Sequence, residues 1–269
     1  MAAHPTLYLE SRYRKLVRGL PQTIFWCPVC KGHRERRRTC AQCQGFGKLT
    51  RDSVQELLAR HLLPAFKARA GKFHGAGRED VDVRMLGQGR PFVFEIVAPR
   101  SPQTDEEQVR RTILEHCGDR IDLAPFRRVR RERVAFWKEA HFAKIYRALA
   151  VLAGAPATAP VTLAGRSFAI QQRTPARVAH RRADLERERE VTVQQVEELA
   201  PDRLALTLRC AHGTYVKEWV SGDAGRTRPS LPELIGVPCR CEELDVLEIL
   251  TEEATSAPTA PAPEPDPAR

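Results

Sequence analysis

The sequence has no apolar run that could cross a membrane as a helix. Such a helix needs about 20 consecutive apolar residues, and no stretch of the 269 residues approaches that length. The N-terminal segment MAAHPTLYLESRYRK also lacks the basic-then-apolar order of a secretory signal peptide. Both absences argue against a helical membrane protein and a secreted protein, so we expect a cytoplasmic location.

Positive charge is what the sequence has in excess. Lys and Arg number 44 against 34 acidic residues, which gives a net charge of +10. The segment from Thr251 onward carries a net charge of −3, so the rest of the chain carries about +13. Such an excess favours a polyanionic partner, most often nucleic acid. A globular protein with many solvated arginines is the alternative.

Two segments have the pattern of capped helices. In SVQELLARHLLPAF, Ser53 and Glu56 fit a capping box, and the apolar residues follow at helical spacing. TDEEQVRRTILEHC predicts a second helix from about 105 to 117. GTYVKEWVSGDAG indicates a loop that enters a short helix. The basic segment 118–143 has no clear pattern.

Several segments alternate as strands do. We predict strands at about 79–86 and 91–97, joined by a turn at GQGR, and further strands in VTVQQVEEL, RLALTLRC and ELDVLEIL. AKIYRALAVLAG has the composition of a helix, but its dense apolar run between Gly and Pro favours a buried strand. This order of elements predicts an α+β fold around a largely antiparallel mixed sheet flanked by helices.

A cysteine-rich segment interrupts this pattern. Two CxxC pairs, each followed by x-Gly, supply four thiolates suited to tetrahedral zinc: Cys27, Cys30, Cys40 and Cys43. A disulfide pair or a redox CxxC is the alternative, although neither suits a reducing compartment. We expect structural zinc only, because four ligands leave no open position. Arg36 and Arg37, between the pairs, suit a phosphate backbone. The other four cysteines are not spaced as a second complete site.

The segment GREDVDVRMLG, residues 77–87, carries four charges on one side of an alternating pattern. Asp80 and Asp82 lie two residues apart, with Arg78 and Arg84 on either side. The segment can be a solvated edge strand, or it can hold a catalytic carboxylate next to an arginine.

Five ordered blocks resemble the archaeal and eukaryotic tRNA pseudouridine synthase family that acts on the T-loop. They cover the chain from about residue 10 to 250 and read RYRKLVRGLPQT, SVQELL, GREDVDVRMLGQGRPFVFEI, QQRTPARVAHRR and GTYVKEWVSGDAGRTRPSLPELIG. The two CxxC pairs also resemble those of archaeal members. The resemblance implies the pseudouridine synthase fold and isomerisation of uridine in tRNA at T-loop position 54, position 55 or both. It also implies that no catalytic cofactor is needed.

The resemblance also implies roles for individual residues. Asp80, in the order Arg-x-Asp, matches the essential aspartate, which attacks the sugar or base or assists elimination, and Asp82 is its rival. Lys217 matches the basic residue that pairs with this aspartate. Tyr146 matches the tyrosine that stacks on the target base, and Arg78 the residue that moves into the space left by the flipped base. A further cluster is expected to face RNA phosphates: Arg177, His180, Arg181 and Arg182.

We therefore predict three parts of the chain: a catalytic domain in 1–26 and 49–250, a zinc-knuckle insertion in 27–48, and a disordered Pro-rich tail in 251–269. Family members usually carry an N-terminal RNA-binding domain, and this chain begins at the catalytic unit. We expect the zinc knuckle and the arginines of 127–133 to compensate in part, and the protein to act as a monomer on the T-arm of tRNA. The rival hypotheses are a catalytically inactive RNA-binding protein and a fragment of a chaperone zinc domain.

Overall fold

One large sheet runs through the residues that the computed structural model describes, 4–179 and 182–251. Eleven strands form it within these ranges: β1 (Leu7–Lys15), β2 (Ala70–Gly75), β3 (Arg84–Val97), β4 (Ile121–Leu123), β5 (Arg127–Val129), β6 (Lys144–Leu152), β7 (Ser167–Arg173), β8 (Glu186–Ala200), β9 (Arg203–Cys210), β10 (Thr227–Arg228) and β11 (Cys239–Ile249). The predicted tail, apart from Thr251, lies outside the described residues.

The strand order is β10-β7-β8-β9-β6-β11-β3-β1-β4, with β2 also paired to β3 and β5 to β1. β11 and β3 pair in parallel, through Asp245 with Arg84 and Val246 with Met85. The other pairs are antiparallel. The prediction of an α+β fold with a largely antiparallel mixed sheet is confirmed.

The described part of the chain contains seven helices, of which the first lies in the cysteine-rich segment: α1 (Arg34–Arg37), α2 (Val54–Ala65), α3 (Glu106–Cys117), α4 (Glu132–Glu139), α5 (Ala176–Ala179), α6 (Val216–Ser221) and α7 (Leu231–Ile235). Short 3₁₀ segments span Pro160–Leu163 and Asp223–Gly225. Helices α2 and α3 pack on each other, and α6 packs on β11. Among the described residues, none of the helices is long and apolar enough to span a bilayer.

Helix α2 begins where its sequence predicts. The Ser53 hydroxyl accepts a hydrogen bond from the Glu56 amide at 3.2 Å and donates one to the Glu56 carboxylate at 2.8 Å. The apolar face of the helix is fully buried through Leu57, Leu58 and Leu62. Burial of each such side chain contributes about 1.5–3 kcal/mol, so packing of this face outweighs the cap, which contributes about 1 kcal/mol.

The predicted strand at 79–86 is wrong over its first half. Residues 77–83 form a loop, and β3 starts only at Arg84. The backbone of this loop does not pair with a neighbouring strand. The Val81 carbonyl, for example, accepts a hydrogen bond from the Gly19 amide at 2.9 Å. The GQGR turn is wrong as well, since β3 runs through it with a bulge opposite Tyr13 and Lys15. Gly87 is required there, because a Cβ would lie 1.9 Å from the Leu247 carbonyl oxygen.

Candidate active site and metal site

A buried lysine fixes the loop 77–83. Lys15, at the end of β1, donates from Nζ to the carbonyls of Leu20, Asp80 and Val81 at 2.7, 3.0 and 3.2 Å. Burial lowers the pKa of Lys15 to about 8, against the opposing effect of the nearby Glu79 carboxylate. The ammonium can donate three hydrogen bonds, and all three fix backbone at or near this loop.

Glu79 anchors the same loop from inside the protein. Its carboxylate is fully buried and accepts from Arg90 Nε at 2.8 Å. The Tyr13 hydroxyl lies 2.9 Å from each carboxylate oxygen, and Gln22 donates to that hydroxyl at 2.9 Å. A buried ion pair of this kind is costly to break by removing one partner. It therefore determines where the next residue of the chain points.

Asp80 points into a cleft. Its side chain is 40% exposed, and Oδ2 lies 3.0 Å from Arg177 Nη2 and 3.7 Å from Lys217 Nζ. The sequence suggested that a neighbouring arginine holds this carboxylate. Arg84 instead pairs with Asp245 through two bonds of 2.9 and 2.6 Å, and the arginine beside Asp80 is Arg177.

Lys217, on α6, lies between the two aspartates of the loop. Nζ is 2.7 Å from both carboxylate oxygens of Asp82, closer than to Asp80. Burial acts to raise the pKa of Asp82, but the hydrogen bond and charge of Lys217, with Arg177, lower it below its usual value. The lysine thus provides a cation for both carboxylates in the free protein.

Arg177, predicted to face phosphates, is tied into the cleft. Nε donates to Glu218 at 2.6 Å while Nη2 pairs with Asp80. Burial opposes the charge of Arg177, but Glu218 and Asp80 raise its pKa above the ordinary value. Of the rest of that cluster, Arg182 donates to the Tyr215 hydroxyl at 2.9 Å at the cleft. His180 and Arg181 lie outside the described residues.

Tyr146 lies on the floor of the cleft, in β6, as the sequence predicts for a buried strand at this position. It pairs with Val246 of β11 and Leu208 of β9, so it lies near the middle of the sheet. Burial raises the pKa of the phenol well above its usual value, so the group is neutral at physiological pH. Lys144 lies two residues before it in the same strand, and burial lowers the pKa of this amine to about 8.

The cleft has a volume of about 510 Å³, within the range of about 300–1,000 Å³ that small-molecule sites occupy. Val83, Leu244 and Val246 give it apolar walls, and Arg78, at the surface, lies at its edge. The structure therefore brings Arg78, Asp80, Tyr146, Arg177 and Lys217 to one cleft. Arg36 and Arg37 lie apart from it, in α1.

Sequence reasoning missed the residues that hold the loop. Lys15 and Arg90 are buried although both side chains are charged. Tyr13, Gln22 and Glu79 complete their hydrogen-bond network. The local hint is that Arg90 directly precedes the apolar run PFVFEIV, since an arginine that is buried with such a run needs a buried counter-ion.

The four cysteines of the insertion form a cluster that can hold a metal ion. Their sulfur atoms all lie within 4.8 Å of one another, and all four residues are buried. Sγ of Cys27 and Cys40 are 3.8 Å apart and those of Cys30 and Cys43 are 3.6 Å apart, whereas a disulfide requires about 2.05 Å. Tetrahedral zinc with Zn–S bonds of about 2.3 Å places its sulfurs about 3.8 Å apart. The donor set and its spacing therefore fit a metal, and the Gly47 amide donates to Cys43 Sγ at 3.1 Å.

Comparison with known proteins identifies the family. The family described as "Pus10, C-terminal" matches residues 8–250. The chain is 43% identical over 246 residues to the tRNA pseudouridine synthase Pus10 of Methanothrix thermoacetophila, covering 90% of this chain and 53% of that protein. It is 43% identical over 245 residues to the Pus10 of Methanothermobacter marburgensis, covering 90% and 60%. The chain thus spans somewhat more than half the length of these curated relatives.

Among solved structures, the chain is similar to one in the crystal structure of a Cbf5-Nop10-Gar1 complex, with a TM-score of 0.38 and 16% identity over 73% of this chain and 45% of that one. That likeness is too distant to carry a conclusion about function. The family match and the identities confirm the resemblance that the five sequence blocks indicated. The chain belongs to the Pus10 C-terminal family.

Proposed function

We propose that this chain is the catalytic region of a pseudouridine synthase that acts on tRNA. The observation that carries the proposal is the Asp80 carboxylate, which faces a cleft between the cations of Arg177 and Lys217. The names of the curated relatives support the same reaction. In it the C1′–N1 bond of uridine breaks and a C1′–C5 bond forms, N1 gains a proton and C5 loses one. The product is an isomer, so atoms balance without a cofactor.

Asp80 acts as the nucleophile. Two cations within 4 Å, Arg177 and Lys217, hold the Asp80 carboxylate at the cleft, where it can act on a bound nucleotide. Its side chain is open to the cleft, so a substrate can reach it. Lys217 compensates for the charge of Asp82 as well, which keeps the rival carboxylate paired.

The target base leaves its stack to react. C1′ and C5 of a stacked uridine are out of reach of a side chain in a cleft, so the nucleotide is flipped. Tyr146 offers a flat apolar surface on the cleft floor for the base, and its phenol is protonated at neutral pH. The Tyr146 phenol can accept the C5 proton only if it first gives its own proton to another acceptor. Arg78, at the cleft edge, fills the place of the flipped base.

The same proposal includes the target uridine, the oligomeric state, the cellular location and the role of each part of the chain. The substrate uridine lies at T-loop position 54, at position 55 or at both, and the protein acts as a monomer in the cytoplasm. RNA phosphates contact Arg182, with Arg36 and Arg37 of the insertion. The catalytic domain comprises 1–26 and 49–250, the insertion 27–48 and the tail 251–269. Structural zinc occupies the four cysteines and takes no part in the chemistry.

Release of tritium tests the reaction. The chain is incubated with tRNA transcribed with [5-³H]uridine, and tritium in water is counted, since formation of the C1′–C5 bond expels the C5 hydrogen. We expect one tritium per modified uridine, with pseudouridine mapped to the T-loop. Asp80→Ala serves as the control for a folded but inactive chain. An absence of release by the wild-type chain, with tRNA binding retained, would support the rival RNA-binding hypothesis.

A further inference from the structure

Two half-exposed aromatic rings lie near the cysteine cluster, one on the residue just before the insertion and one within it. Trp26 is 50% exposed and Phe46 is 49% exposed. Trp26 pairs with Lys48 in an antiparallel bridge, so these two side chains share one face. The Lys48 ammonium lies 5.1 Å from the centroid of the Phe46 ring, which brings Phe46 to the same face. Trp26, Phe46 and Lys48 are called the aromatic face below.

The Trp26 ring is held in place rather than free. It lies against Gly32, where a Cβ would stand 2.3 Å from the ring, so the indole rests on bare backbone. Next to it, Arg37 packs beside Gly47, where a Cβ would lie 3.3 Å from Arg37 Cδ. Pre-organisation of this kind lowers the entropy cost of binding. The cysteines form the buried cluster of this insertion, so the aromatic rings are left for another role.

Charge indicates what covers this face. From residue 25 to 49 the sequence holds six Lys and Arg against one Glu. The cores of protein–protein interfaces are depleted of charge, whereas aromatic rings among cations are typical of surfaces that bind single-stranded nucleic acid. Unpaired bases stack on the rings, while the cations meet the phosphates.

The face lies within reach of the cleft. Gln22 donates to the Gly77 carbonyl at 3.0 Å, and Gly77 immediately precedes Arg78 in the active-site loop. Trp26 is four positions after Gln22, and a chain of that length spans at most about 14 Å. The aromatic face therefore lies close to the loop that carries Asp80, at a distance that RNA flanking the target nucleotide can span.

We propose that the aromatic face binds unpaired bases of the RNA that flank the target nucleotide. This inference rests on the proposed function in taking RNA as the substrate. It adds a site that reads single-strandedness, separate from the cleft that performs the chemistry. The bases stack on Trp26 and Phe46, and the site needs the fold of the insertion but not Asp80.

Tryptophan fluorescence observes this face directly. The chain has three tryptophans, and Trp137 and Trp219 are 3% and 0% exposed, so an aqueous quencher reaches mainly Trp26. We expect tRNA, and an unpaired oligoribonucleotide, to quench the emission and to protect it from iodide. The variant Asp80→Asn should show the same protection, because no chemistry is needed. Unchanged iodide quenching at saturating RNA would overturn the inference.

Matched substitutions separate stacking from other contacts. Phe46→Leu keeps apolar volume and loses the flat ring, whereas Phe46→Tyr keeps the ring. We expect Phe46→Leu to raise the Kd for tRNA about five- to a hundredfold. Phe46→Tyr should retain the wild-type Kd. The zinc content and Tm of each variant show that the insertion is folded. Equal Kd values for the two variants would contradict stacking.

Salt dependence supplies a second, independent readout. Loss of a stacking ring should leave the slope of log Kobs against log salt unchanged, whereas Arg36→Ala/Arg37→Ala should reduce it by about 0.7 per lost phosphate contact. A reduced slope in Phe46→Leu would contradict the inference. Sedimentation without RNA tests whether the face instead binds a second copy of the chain. A concentration-dependent dimer that Trp26→Leu abolishes would also contradict the inference. RNA binding through this face without tritium release would refute the proposed function alone.

Discussion

Glu79 and Asp80 are neighbours in the chain, yet their carboxylates have opposite surroundings. The Glu79 carboxylate is fully buried against Arg90 at 2.8 Å, and the Asp80 side chain is 40% exposed in the cleft beside Arg177. The buried pair holds one end of the loop, so the exposed acid projects from a fixed backbone. The buried Glu79 carboxylate thus positions the Asp80 carboxylate through the backbone that joins the two residues.

Glu79→Gln should destabilise the protein strongly. The substitution leaves Arg90 and Lys15 buried without their anion, and removal of one partner of a buried pair costs about 3–5 kcal/mol. Urea unfolding measures the change. Glu197→Gln is the control, because its partner Arg147 lies 3.8 Å away at the surface and such pairs contribute at most about 1 kcal/mol. A loss below about 1 kcal/mol for Glu79→Gln would contradict the anchoring role.

Lys144→Met should stabilise the protein and change its response to pH. Burial and the charge of Arg90 lower the pKa of Lys144 to about 8, against the opposing effect of Cys210, from 10.5 in an unfolded chain. Between these pH values the unfolded state binds more protons, so stability rises with pH by about 1.4 kcal/mol per pH unit for this group. The stability cost is therefore present below pH 8 and is lost as the pH rises towards 10.5.

Lowering the pKa of Lys144 from 10.5 to about 8 costs about 3.4 kcal/mol, and loss of the hydrogen bond from Lys144 Nζ to the Phe142 carbonyl offsets about 1 kcal/mol, so the variant should gain about 2–3 kcal/mol at pH 7. It should also lose the part of the pH dependence that Lys144 contributes between pH 8 and 10.5. Lys15 has a pKa of about 8 as well, so part of the slope remains. Urea unfolding at pH 7, 9 and 10 measures both effects, and Lys138→Met, at an exposed position, is the control. A slope equal to that of the wild-type chain would show that Lys144 does not titrate in this window.

Cys40→Ser should remove the metal and unfold the insertion while the main core persists. The four cysteines form a buried cluster separate from the main core. We expect one zinc per wild-type chain by elemental analysis, substantially less in the variant, and new tryptic cleavage at Arg34–Arg38. Cys117→Ser, in the main core, should keep the metal. A full equivalent of zinc in Cys40→Ser would contradict the proposed coordination.

Much of the fold could be predicted because its signals are local. The cap at Ser53 defines the start of α2, and the alternation in VTVQQVEEL and RLALTLRC corresponds to β8 and β9. The strand chosen over a helix for AKIYRALAVLAG is β6. In each case, residues close in sequence determine the outcome.

The loop 77–83, which carries Asp80, could not be predicted in the same way, because distant residues determine it. The alternation of Val81 and Val83 indicates a strand, but Lys15 binds the carbonyls of Asp80 and Val81 from 65 or more residues away. Arg177 likewise reaches Asp80 from α5. The segment 118–143, left unassigned, holds β4, β5 and α4, which are short and take their place from contacts with β1, β2 and β3.

The rate of one turnover by Asp80→Asn and Asp82→Asn tests the central claim most directly. Both changes remove one negative charge within 4 Å of Lys217 and keep the size of the side chain. Single-turnover formation of pseudouridine in tRNA, at saturating enzyme, should fall by about four orders of magnitude or more in Asp80→Asn and by about tenfold at most in Asp82→Asn. The opposite order, with Asp80→Asn active and Asp82→Asn inactive, would contradict the assignment of the nucleophile.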